Sequence, residues 1–139
     1  MNVFFTASIR GGRAHQPQYA LIVKTLEKYG TVFSKHIADE TLSTYGETNI
    51  TNREILEREL SALEKCDVVV AEVSTPAHGV GYLIGRATAL KKRVIALHYG
   101  DYALKLTGII QGDPRVEVHT YKTEGDIKKI IEKSLGQTR

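Results

Sequence analysis

Two arginines, a hydroxyl and a glycine pair are packed into six consecutive residues, Ser8-Ile9-Arg10-Gly11-Gly12-Arg13, directly after an apolar run. Glycines let the backbone approach a ligand and take left-handed dihedrals, while the arginines and the hydroxyl supply donors for an anion. The plain alternative is a surface turn with incidental arginines. Position decides for the anion loop, because a strand-to-helix connection is where such folds bind anions. No Gly-Lys-Ser/Thr follows, so this is not a nucleoside-triphosphate P-loop. A second glycine-rich segment, Gly79-Val80-Gly81-Tyr82-Leu83-Ile84-Gly85, comes near a dinucleotide fingerprint but has one residue too many before the last glycine. It also follows the third strand rather than the first. Close packing of a helix on a sheet, beside some other ligand, accounts for these glycines better than a nicotinamide cofactor does.

Among the carboxylates, Glu59 is the most informative. At helical spacing it falls on the stripe Leu56, Leu60, Leu63, which turns it toward a sheet rather than water. A carboxylate on an apolar face must be paired, hydrogen-bonded or protonated, and such a group can serve as general acid or base. Equally, it can be a rim residue that bends out to solvent. Glu72, near the end of the central strand, is a further site carboxylate or the partner of a loop arginine. His36 stands where a strand enters a long loop, a position suited to touching a base or a sugar. Cys66, the sole cysteine, reads as a small packed residue. The histidines and this cysteine have no metal-ligand spacing, so neither a metal nor a cofactor is expected.

Strand and helix patterns alternate along the chain and supply the frame. Strands are expected at residues 2–7, 31–34, 67–73, 93–98 and 116–121. Helices are expected from Pro17 to Tyr29-Gly30, and at 52–65, 79–91, 102–111 and 125–135. Residues 36–52 form a polar stretch too long for a routine connection. Five strands alternating with helices predict one α/β domain, residues 1–139, with a doubly wound five-stranded parallel sheet of the Rossmann or flavodoxin-like kind. Ligands of such sheets sit beyond the carboxyl ends of the strands, which directs attention to the loops 7–13, 35–52, 74–81 and 99–101.

A length of 139 residues, 42% hydrophobic and 25% charged, excludes a disordered chain, and the apolar runs are too short to span a bilayer. One cysteine forbids an intrachain disulfide. Together with an N-terminal stretch unlike a signal peptide, this places the expected setting in the cytoplasm. The net charge of +3 suits an anionic ligand, but the lysines are scattered rather than striped, so neither nucleic acid nor membrane is expected as a partner.

Phe5-Thr6-Ala7 leading into Ser8–Arg13, then Tyr29-Gly30-Thr31-Val32 with His36, resembles the 2'-deoxynucleoside 5'-phosphate N-hydrolases of the nucleoside 2-deoxyribosyltransferase superfamily. So do Cys66-Asp67-Val68-Val69-Val70-Ala71-Glu72-Val73, Pro76, Gly79-Val80-Gly81-Tyr82 and Gly85-Arg86-Ala87, in order along about residues 2–120. The resemblance implies a homodimer that takes a nucleoside 5'-monophosphate and cleaves its N-glycosidic bond, releasing a nucleobase and 2-deoxyribose 5-phosphate. It implies that Ala7, Ser8, Ile9, Arg10, Gly11, Gly12 and Arg13 surround the sugar phosphate, that His36 lies near the base, and that Tyr19, Gly79 and Gly81 line the pocket. It also implies that Thr107-Gly108-Ile109 reaches the neighbouring subunit's site.

The catalytic positions depart from that pattern. The family's nucleophilic glutamate falls on Leu83, its helix aspartate on Glu59, its first-strand tyrosine on Phe4 and a phosphate-contacting serine on Ala77. Retaining cleavage needs two carboxylates about 5 Å apart. Leu83 removes one, unless Glu59 or Glu72 occupies that space or water attacks directly with Glu59 as base. Hydrolysis is the expected activity because the fold and the anion loop are intact. The alternatives are a nucleotide-binding protein without turnover, favoured by Leu83, Phe4 and Ala77, and deoxyribosyl transfer, which needs the same covalent intermediate.

Overall fold

The computed structural model describes residues 1–136. In chain order the elements are β1 (Asn2–Thr6), α1 (Gln16–Leu26), β2 (Thr31–Phe33), a 3₁₀ turn (Lys35–Ala38), α2 (Asn52–Lys65), β3 (Val68–Glu72), α3 (His78–Ala89), β4 (Arg93–Tyr99), α4 (Gly108–Gln111), β5 (Val116–Tyr121) and α5 (Glu124–Leu135). All five strands are parallel, in the order β2-β1-β3-β4-β5. The chain runs outward from β1 to β2 and then returns to the other side of β1, so the switch point lies between β1 and β3.

A strand covered on both faces reads as an unbroken apolar run, and every residue of β3 is buried. Alternate side chains feed two separate layers. Val3, Phe5, Val70 and Ile95 pack with Tyr19, Ile22 and Leu26 of α1 and Ile127 and Ile131 of α5. Phe4, Val69, Ala71 and Ala96 pack with Leu63 of α2 and Val80, Ile84 and Ala87 of α3. Thr51 with Glu54 and Thr123 with Asp126 form capping boxes that satisfy the first amides of α2 and α5.

Three local expectations are corrected. The helix expected at 102–111 is reduced to α4, because Thr107 (ψ 137°) is extended and separates it from the single turn that bonds the Leu106 amide to the Tyr102 carbonyl. On α2 the buried line runs through Glu59 and Leu63, with Ile55 and Ala62 beside it, while Leu56 is 42% exposed. The inward face is thus turned by about one residue from the leucine stripe. The glycines of α3 do not serve close packing: a Cβ at Gly79, Gly81 or Gly85 would meet nothing within 4 Å.

Candidate active site

Above the carboxyl ends of β1 and β3 lies a cavity of about 1090 Å³, just above the usual small-molecule range of about 300–1,000 Å³. Its walls bring together Ala7, Ile9, Arg10, Gly11, His36, Glu59, Gly79, Gly81, Leu83 and Thr107, residues from the β1 loop, the 3₁₀ turn, the stretch before α4 and the two helices α2 and α3. The loops after β1 and β3 touch: a Cβ on Gly11 would stand 2.3 Å from the Pro76 carbonyl oxygen, so only glycine fits. Gly12, at φ 134°, takes a backbone conformation that side chains resist.

Other expected site residues lie outside the walls. Arg13 turns away and donates to the carbonyls of Ser8 (3.1 Å), Leu42 (3.1 Å) and Asp39 (3.0 Å), with its guanidinium over the Tyr19 ring. It ties the long loop to the β1 loop, with Nε, Nη1 and Nη2 each donating to a backbone carbonyl. Ser8 and Tyr19 are buried beneath the loop, and Gly12 is not a wall residue. Gly108 and Ile109 begin α4, with Ile109 86% exposed, so of that segment only Thr107 joins this chain's own cavity. Phe4 is wholly buried in the layer beneath, packed among apolar side chains.

The wall opposite the β1 loop is the start of α3. Its N-cap, Ala77, offers no side-chain hydrogen bond to the first amides, so His78, Gly79 and Val80 present them uncapped at the positive end of the helix. Arg10 and Lys105 line the same cavity, and among the described residues no protein acceptor engages Arg10. Cationic side chains and free helix amides together make an anion site.

The polar cluster of the cavity is built on Glu59, 7% exposed. Its Oε1 accepts from Arg58 Nη2 at 2.8 Å, and its Oε2 accepts from the Ser34 hydroxyl. Ser34 follows β2 at φ 61°, a left-handed conformation uncommon for a residue with a side chain, and this bend aims the hydroxyl at the carboxylate. Arg58 also grips Glu47, donating Nη1 to Oε2 (2.9 Å) and Nη2 to Oε1 (2.6 Å). His36 Nε2 completes the group, 2.9 Å from Glu47 Oε1 and 3.2 Å from Arg58 Nη2. Hydrogen bonding from Arg58 holds the Glu47 carboxyl below the usual range, with His36 adding to the effect against partial burial.

Glu72 belongs elsewhere. It is wholly buried on the α1/α5 side of the sheet, where its Oε1 accepts from the Ser74 amide at 2.6 Å, so it pairs with no arginine. Alternation along β3 directs it away from the cavity, and it cannot replace a carboxylate at position 83. Cys66 is buried, its thiol pushed up by burial and donating to the Leu63 carbonyl.

Sequence reasoning did not single out Ser34, Glu47 or Arg58. Arg58 carried a visible signal, since it adjoins Glu59, but neighbours on a helix do not ordinarily face one another. Glu47 lay unplaced in a long polar loop, and the bend at Ser34 appears only in three dimensions.

Residues 3–122 match the family profile described as nucleoside 2-deoxyribosyltransferase. The 5-hydroxymethyl-dUMP N-hydrolase of Danio rerio is 39% identical over 135 residues, covering 95% of this chain and 94% of that one. The Homo sapiens 5-hydroxymethyl-dUMP N-hydrolase is 38% identical over 135 residues, covering 94% and 77%. The structure of Clostridium botulinum CMP N-glycosidase superposes with a TM-score of 0.69 at 19% identity, covering 97% of this chain and all of that one, and so shares the fold. With the family profile spanning most of the chain and relatives near 40% identity along their length, the chain belongs to the nucleoside 2-deoxyribosyltransferase family.

Proposed function

We propose that this chain hydrolyses the N-glycosidic bond of a 2'-deoxynucleoside 5'-monophosphate, releasing the free nucleobase and 2-deoxyribose 5-phosphate. One observation carries the reading: a buried carboxylate, Glu59, faces a nucleotide-sized cavity whose other wall is an uncapped helix start flanked by Arg10. The names of the similar nucleotide N-hydrolases support it. The phosphate binds against Arg10 and the amides of His78–Val80, which sets the sugar across the cavity. Leu83 offers no electron pair, so water attacks the anomeric carbon directly. Glu59 accepts a proton from that water as the new C–O bond forms. The nucleobase leaves with the electrons of the C–N bond and takes up a proton from solvent, and Glu59 returns to solvent the one it accepted. Negative charge at Glu59 also favours the oxocarbenium-like transition state.

Incubation with each deoxynucleoside monophosphate and its ribo counterpart, followed by chromatography for free base, tests this directly. Base release above a heat-inactivated control supports hydrolysis. Thermal stabilisation by the same nucleotides without release would favour the second reading, a nucleotide-binding protein, for which the leucine at position 83 is the specific observation. Arg10→Ala is expected to weaken nucleotide binding by about 10- to 100-fold, as removal of a charge-assisted phosphate contact does; unchanged affinity by calorimetry would reject that contact. Leu83→Glu is expected to raise hydrolysis about tenfold or more by restoring an attacking carboxylate, and a slower variant would show that the leucine is part of a working pocket.

Homodimer formation belongs to the same proposal. Leu104 and Ile109, almost fully exposed on either side of Thr107, support a partner seated on this segment. Among the described residues no helix is long and apolar enough to cross a membrane. The single thiol, buried and unpaired, supports a reducing cytoplasmic setting.

A further inference from the structure

The hydrolase reading leaves one matter open, namely how a pocket with leucine at position 83 presents enough negative charge to a developing oxocarbenium ion. We propose that Arg58 is a positioning residue that draws Glu47 out of the loop and sets it beside Glu59 as the second carboxylate of the cavity. This rests on the proposed hydrolase activity and deepens it. A single nitrogen, Nη2, donates both to Glu47 Oε1 (2.6 Å) and to Glu59 Oε1 (2.8 Å). The two carboxylate oxygens therefore lie no farther apart than those two hydrogen bonds laid end to end. Without a cation between them, carboxylates this close repel one another.

The fork matters as much as the charge. Nη1 and Nη2 hold both oxygens of Glu47, which fixes the plane of its carboxylate. A lysine ammonium is a point charge and does not set that plane. Glu59 has its own anchor, the Ser34 hydroxyl, so it keeps its place from two sides. Glu47 has His36 Nε2 at 2.9 Å besides Arg58, but no helix or strand carries it: it follows Gly46, at φ 73°, on the irregular stretch between the 3₁₀ turn and α2. The start of that stretch is tied by Arg13 to the Asp39 and Leu42 carbonyls, and the part over the cavity is held through Glu47 by Arg58. Helix α2, fixed by its capping box, thus positions one carboxylate directly and the other through Arg58.

Steady-state kinetics of base release from the best deoxynucleoside monophosphate, with Arg58→Ala, Arg58→Lys, Glu47→Gln and the Glu47→Gln/Arg58→Ala double variant, tests the inference. Arg58→Ala and Glu47→Gln should each lower kcat about tenfold or more with KM within about threefold, the double variant should lose no more than either single one, and lysine should restore only a minor part. The acid limb of the kcat–pH profile should move upward in Arg58→Ala, because Glu47 loses its cation. Unchanged kcat, or losses that multiply in the double variant, would overturn the proposal. Glu47→Gln carries the test by itself if Arg58→Ala fails to fold. If the native chain releases no base at all, the hydrolase reading fails, and the clamp is then read without turnover by chymotryptic cleavage at Tyr45, which is 76% exposed. Cleavage at least about fivefold faster in Arg58→Ala would retain the clamp, and equal rates would overturn it.

Discussion

Glu59→Gln is expected to lower kcat for base release by about 100- to 10,000-fold, the span typical of losing a positioned general base, while nucleotide affinity changes little. The amide keeps the shape of the side chain but neither accepts a proton from water nor carries negative charge. Its environment sharpens the expectation. Both oxygens of Glu59 are engaged, one by Arg58 and one by the Ser34 hydroxyl, so the carboxylate is held in a single orientation at the cavity wall. The amide also gives up the charge paired with Arg58, so a fall in thermal stability accompanies the loss. Single-turnover kinetics at saturating nucleotide separate the two effects. A variant that folds, binds and still turns over within threefold of the native rate would remove Glu59 from the chemistry and point to Glu47 in its place.

A second large effect is expected at Glu72→Gln, this time on stability rather than rate. Burial pushes the Glu72 carboxyl up to about 7, opposed by the hydrogen bond from Ser74. Two phenols stand near it, Tyr19 from α1 and Tyr121 from β5, and both are pushed up, Tyr19 to about 12, by their own burial and then by the proximity of Glu72. Glu72 Oε2 and both phenol oxygens lack a hydrogen-bond partner of good geometry. The sign follows from proton counting. Between about pH 4.5 and 7 the folded chain keeps a proton that the unfolded chain has released, so stability falls as pH rises through that window and levels off above it. The shift corresponds to about 3 kcal/mol. Glutamine does not titrate, so Glu72→Gln should gain about that much over the native chain between pH 4 and pH 8, measured by denaturant unfolding at both ends. A stability difference independent of pH would show that Glu72 ionises as an exposed carboxyl does.

These two carboxylates also show how much of the molecule was legible in advance. The strand at 67–73 and the helix at 52–65 followed from apolar runs and periodicity, because burial on two faces or on one face leaves a local pattern. Glu59 was placed on an inward face by the same argument, and it is buried. Glu72 was legible as a strand residue, but not as one turned from the cavity, since the face it takes depends on the register of β3 against β1 and β4. Misplacing Leu56 on the buried stripe had a related cause. Helix α2 needs a face to the sheet, and its rotation by one residue is set by what it packs against rather than by its own leucines.

The arginines of the first loop divide in a way that spacing does not reveal. Arg10 and Arg13 are three residues apart and chemically identical, yet one lines the cavity while the other bonds three backbone carbonyls from two loops. That division depends on where residues 39–42 fold back, and nothing local to Ser8–Arg13 encodes it. Sequence alone determined the order of strands and helices, the glycine- and arginine-rich make-up of the first loop, the resemblance to a family and the lack of a carboxylate at position 83. Those features are written in residue type and short-range period. Tertiary structure decided which groups meet: Ser34 bent toward Glu59, Glu47 drawn from the loop by Arg58, and Glu72 sent to the other face. Such meetings join residues 11 to 25 positions apart, with partners set by the packing of whole elements, and a period of two or of 3.6 residues carries no information over that distance.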